Sequence, residues 1–130
     1  MNEILIPISP GELLDKITIL QIKSERIADP AKVANVKTEL GMLEQVWREA
    51  VNDDDQIRAL KRELKSINEA LWEIEDDIRD EERNRRFGER FIELARAVYV
   101  TNDERANAKK KVNLHLDSSI VEEKSYQDYR

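Results

Sequence analysis

Beyond its first few residues, the chain places apolar side chains at intervals of three and four. Leu13, Ile17, Leu20 and Ile27 form one stripe, with Ile19 and Ile22 on the other side and Asp15 and Arg26 beside them. A helix apolar on two sides is central to its fold, or faces both a core and a partner. Ser9 suits its N-cap, Pro10 its first position, and Glu12 completes a capping box. Asp29-Pro30 repeats the cap-then-proline signal, so a second helix follows at once. Its apolar positions are Val33, Val36, Leu40, Leu43, Trp47 and Ala50, with Gly41 among them. Glycine costs about 1 kcal/mol against alanine inside a helix, which predicts close packing there against another helix.

Asn52-Asp53-Asp54-Asp55 is a polar break and a cap. Ile57, Leu60, Leu64, Ile67, Leu71, Ile74 and Ile78 then run as an unbroken heptad seam. The spacing predicts a third helix over about 54–84, roughly 45 Å long. The short link predicts that the second and third helices form a long antiparallel hairpin, its overhang free to pack on a second copy. Arg83 to Gly88 reads as a break. Phe87, Phe91, Leu94 and Val98 mark a fourth helix, and Thr101-Asn102-Asp103-Glu104 resembles a cap cluster opening a fifth over about 103–115, with Ala106, Val112 and Leu116 inside. Glu3 to Pro7 reads as a short strand, with Ser118-Ser119-Ile120-Val121 or a second subunit as its partner. The expected fold is an all-α antiparallel bundle forming a single domain, residues 1–130, with that minor terminal strand.

Charge adds an asymmetry. Residues 52–82 hold 12 acids and 5 bases, whereas residues 83–117 hold 9 bases and 5 acids, within a chain of net charge −6. Either the two blocks lie together and partly neutralise, or the basic one faces an anionic ligand. The chain has no Cys and one His, which excludes a disulfide scaffold, a thiolate metal site and a Cys nucleophile. No window reaches the roughly 20 apolar residues of a membrane span, and no secretory signal is evident. The expected location is cytoplasmic, without a membrane partner.

Acid pairs at i, i+3, Glu73 with Asp76 and Asp77 with Asp80, have the spacing by which helical pyrophosphohydrolases hold Mg²⁺. In the heptad register these acids point away from the seam, so no metal and no cofactor is implied. His115 has no Ser or Cys partner at a suggestive spacing. Arg105, Lys109, Lys110, Lys111 and Asn113 form a basic segment able to hold a phosphate or carboxylate, with Thr101 and Asn102 at its expected helix start. Nucleic acid is disfavoured because the chain is acidic and no aromatics interleave with the lysines.

Polar residues not needed for solubility gather at both ends: Ser9, Asp15, Lys16 and Arg26, then Thr101, Asn102, Asp103, Arg105, Lys110, Asn113, Glu122, Glu123, Lys124 and Tyr126. If the terminal strand pairs with the tail, the two sets meet in a mixed-charge groove beside the first helix. Asp15 or Arg26 far from Arg105 and Glu123 would sink that expectation.

Leu13 to Thr18, followed by Ser24-Glu25-Arg26, resembles the first helix of helical chorismate mutases, which hold a dicarboxylate with Arg and Lys across a dimeric bundle. Leu14 stands where a ligand-binding Arg would be, so the likeness concerns fold more than activity. Ile8 to Leu20 with Lys23 and Glu25-Arg26-Ile27, together with Tyr99 to Ala106, Lys110, Asn113 and Glu122 to Tyr126, resembles a small bacterial family of uncharacterised proteins of similar length. Some of its members lie near genes for surface-polysaccharide assembly. No reaction follows from either likeness. The first functional expectation is a homodimeric interaction or assembly protein. The alternative is a binder of, or enzyme acting on, an anionic small molecule such as a nucleotide sugar or a carboxylate.

Overall fold

The computed structural model describes residues 2–129. They form four helices: α1 (Pro10–Arg26), α2 (Pro30–Ala50), α3 (Asp55–Arg83) and α4 (Glu89–His115). Three starts follow the cap chemistry. Ser9 Oγ accepts from Glu12 N at 3.1 Å, Asp29 Oδ1 from Ala31 N at 3.0 Å, and Asp54 Oδ1 from Ile57 N at 2.7 Å. These bonds satisfy amides that have no partner within the helix. α3 and α4 both end on a left-handed residue, Arg85 (φ 54°) and Asp117 (φ 55°). The next amide in each case reaches back, Arg86 N to Glu81 O and Ser118 N to Asn113 O, both at 2.9 Å, which is the Schellman closure.

α1 is the central helix, as its two apolar sides predict: it packs on α2, α3 and α4. Leu13, Leu14 and Ile17 meet Trp47 of α2, Ile57, Leu60 and Leu64 of α3, and Ala108 and Val112 of α4 in one core. Four expectations need correction. The long hairpin is α3 with α4, not the second helix with the third; α2 packs along α1 and not along α3. The reason is that Ile57, Leu60 and Leu64 are taken by α1 and α4, and only Trp47 of α2 is buried. The expected fourth and fifth helices are one, because Thr101 is buried and Asp103 bonds Lys124 and Tyr129 instead of capping an amide. Without proline or glycine in that stretch, nothing interrupts the helix. No strand forms among the described residues: Ile4, Leu5 and Ile6 lie outside any helix or strand and are exposed, and the tail meets Ser9 through a side chain only. Gly41 has open space around it, so close packing does not explain it.

The heptad seam is covered only in its first half. Ile57, Leu60 and Leu64 are buried, whereas Ile67, Leu71, Ile74 and Ile78 are half-buried. The outer part of the α3–α4 hairpin is a two-helix arm. Its ion pairs, Arg79–Glu75, Arg86–Glu81 and Arg90–Asp77, stay within the arm. The acidic and basic blocks therefore do partly neutralise. Among the described residues, no cluster of three or more His, Asp or Glu is arranged to hold a metal ion, and no helix is long and apolar enough to cross a membrane.

Candidate functional site

The site begins with one close approach. Gly11, in the first turn of α1, lies against α4, and its amide donates to Asn113 Oδ1 at 2.7 Å. A Cβ at Gly11 would meet the carbonyl oxygen of Lys109, so only glycine lets the helices touch here. This contact places Asp15, one turn on, against α3 and α4. Asp15 is completely buried. Its Oδ1 accepts from Arg105 Nε at 2.9 Å and from Asn68 Nδ2 at 2.9 Å, and its Oδ2 pairs with Arg105 Nη2. Asn68 also donates to Thr18 Oγ1 at 3.0 Å. The Asp15 hydrogen bond is the main reason the Arg105 guanidinium pKa is raised above its ordinary value, against the effect of burial.

Arg105 holds five N–H donors, of which the bonds to Asp15 use Nε and Nη2. Its side chain is 30% exposed and forms part of the wall of two cavities. One is an open cleft of about 1240 Å³ between α4 and the C-terminal tail. The other, about 390 Å³, is lined by Ile19, Ile22, Leu71 and Trp72, with Asn68, Asn102 and Arg105 at its polar side.

One turn beyond Arg105, Lys109 binds Glu12 Oε2 at 2.5 Å and Glu122 Oε2 at 3.3 Å. Burial acts to lower the Lys109 pKa, but the Glu12 carboxylate, helped by Asp15 and Glu122, outweighs it and raises the value. Ser9 Oγ donates to Glu122 Oε1 at 2.6 Å. That bond, with Lys109 as a further cause, holds the Glu122 carboxyl below its ordinary pKa, although burial opposes the shift. Lys110 meets Glu123 at 3.2 Å.

Nine residues of the expected polar sets line the large cleft: Asn102, Asp103, Arg105, Lys110, Asn113, Glu122, Glu123, Lys124 and Tyr126. Asp15 stands behind it, holding Arg105. Two do not take part. Lys16 is half exposed and lies 3.7 Å from Glu12. Arg26 ends α1 and pairs with Glu73 of α3, eleven residues and so about 16 Å along the helix from Asp15. The groove as expected fails at Arg26 and is corrected to α4 and the tail. The reading of Thr101 and Asn102 as a helix-terminal anion site also falls, since both lie in mid-helix.

Sequence reasoning misses Asn68 and Trp72. Asn68 carried a usable signal: it stands four residues after Leu64 and three before Leu71, a polar residue on the edge of an apolar seam. The chain belongs to a family of unknown function, DUF6165, matched over residues 4–129, in agreement with the resemblance carried by its terminal motifs. No curated protein and no solved structure matches it.

Proposed function

We propose that this member of the family binds a small anionic molecule in the cleft between α4 and the tail. The observation that carries the reading is Arg105. A buried carboxylate fixes its guanidinium through two hydrogen bonds, while the side chain remains part of the cleft wall. Such a guanidinium is already oriented, so little ordering remains to oppose ligand binding. Lys109 and Lys110 extend the row of cations, and Asn102 adds an amide. A carboxylate or phosphate group, alone or as part of a nucleotide sugar, suits these donors. The described residues that line the cleft include no Ser, Thr, Cys or His, so the reading is binding, without an assigned reaction.

The test is thermal unfolding of the purified chain with phosphate, pyrophosphate, dicarboxylates, nucleotides and nucleotide sugars. A ligand present at 100 times its Kd adds about 2.7 kcal/mol to stability, a shift of several degrees. The shift should vanish in Lys110→Ala, whose side chain is on the surface. A flat response to every anion overturns the reading.

A second reading, assembly with another copy, has its own support. Ile4, Leu5 and Ile6 are 74%, 87% and 68% exposed, and the seam of the arm is half open. Light scattering tests it: a dimer mass that Leu5→Glu reduces to a monomer supports it, and a monomer at high concentration overturns it.

A further inference from the structure

We infer that the ligand of this cleft carries two neighbouring anionic groups, and that residues 119–129 of the tail stand in for it through Glu122 and Glu123. The inference rests on the anion-binding reading above and names the ligand class and the competitor for that site.

Residues 119–129 form neither helix nor strand. The backbone bond Ser118 N to Asn113 O closes the end of α4; beyond it the tail is held by side chains. Glu122 reaches Ser9 and Lys109, Glu123 reaches Lys110, and Lys124 and Tyr129 both reach Asp103. The Tyr129 ring meets Tyr99 edge-on at 4.9 Å between centroids. The Lys110–Glu123 and Lys124–Asp103 pairs are open to water and weak individually, the Lys109–Glu122 pair is open on its Glu122 side, and the core contains no residue of the tail. The tail is therefore a strap that can leave while the four helices stay folded.

Two acceptor groups sit on two adjacent lysines. Lys109 keeps Glu12 when the strap lifts, but one of its contacts is freed, and Lys110 loses its carboxylate altogether. Arg105 lies one turn from Lys109, about 6 Å between Cβ atoms. A single carboxylate or phosphate matches one of these positions. A molecule with two anionic groups within a helical turn of each other, a diphosphate or a dicarboxylate, replaces both strap carboxylates at once. Binding and strap release are then the same event.

The test is calorimetric titration of the full chain and of its E122Q/E123Q variant with pyrophosphate, succinate, inorganic phosphate and acetate. Glutamine keeps an acceptor for Ser9 and removes the competing charge. Pyrophosphate or succinate should bind about tenfold tighter than its one-group counterpart. The same probe should bind about tenfold tighter still to the variant, the combined worth of the Lys109–Glu122 and Lys110–Glu123 pairs. In the unsubstituted chain, backbone heteronuclear NOE values at residues 121–128 should fall as that probe saturates the site. Equal binding of one-group and two-group probes, no gain in the variant, or an unchanged NOE overturns the strap inference and leaves the anion cleft standing. Absence of binding by every probe to both proteins removes the cleft reading as well.

Discussion

Replacing Gly11 with alanine should destabilise the protein, although the same substitution normally strengthens a helix. A Cβ at residue 11 would stand 2.8 Å from Asn113 Oδ1 and 3.0 Å from the carbonyl carbon of Lys109, with the Lys109 oxygen nearer still. Ordinary contact begins near 3.4 Å, so Asn113 alone demands a movement of about 0.6 Å, and the Lys109 carbonyl, being backbone, cannot rotate away. α1 and α4 must separate. Overpacking of this kind costs about 1–3 kcal/mol. Stretching the buried Gly11 N–Asn113 bond adds about 1–3 kcal/mol as it fails. The helix-propensity gain of at most about 1 kcal/mol does not offset this, so the net loss is about 1–5 kcal/mol. For a chain of this size that lowers Tm by roughly 4–20 °C. Gly41→Ala is the internal control: open space surrounds Gly41, and the substitution should raise stability by about 0.5–1 kcal/mol. Urea and thermal melts followed by circular dichroism at the helix band measure both. A Gly11→Ala protein that melts at or above the unsubstituted chain would refute the account of the α1–α4 contact, and with it the placement of Asp15.

Asp15→Asn should cost about 2–3 kcal/mol, below the usual range for breaking a buried pair because Arg105 keeps access to water; urea melts measure it. Docking of the strap should depend on pH. The Glu122 carboxyl titrates below its ordinary range in the folded chain, so its contribution is present above the ordinary carboxylate pKa and is lost as pH falls through the lowered value. Carboxyl-carbon NMR checks this, and a Glu122 midpoint at or above that of exposed glutamates contradicts it. Asp54→Ala should lower Tm, since Asp54 caps α3 and its carboxylate also lies 2.8 Å from His115 Nε2; a melt within error of the unsubstituted chain would show the cap to be idle.

Local chemistry made most elements legible. Ser9-Pro10 and Asp29-Pro30 mark starts because a cap acts on amides two or three residues away. The two apolar sides of α1 announced that it would be surrounded. What sequence could not show was which helix takes which face. Two helices joined by a short link usually pair, but pairing is settled by competition for the buried seam, and α4 takes the side of α3 that α2 would need. Thr101, Asn102 and Asp103 misled for a related reason: cap-type side chains also serve as tertiary partners, and here the strap and the core claim them. In the site, residue types were informative and distances along the chain were not. Arg105 and Asp15 stand ninety residues apart in sequence, and Arg26, only eleven from Asp15, belongs to a different neighbourhood.

The position of α1 also sets an order of events during synthesis. It is made before α2, α3 and α4, yet its contact at Gly11 requires Asn113. At roughly 5–20 residues per second, Leu13, Leu14 and Ile17 wait about 5–20 s with only α2 to cover them before α3 and α4 arrive. The α3–α4 pair, close in sequence, can form as soon as both helices are out. The nascent chain thus leaves the helix destined for the centre of the core waiting longest for its partners, and that helix is where a chaperone would find it.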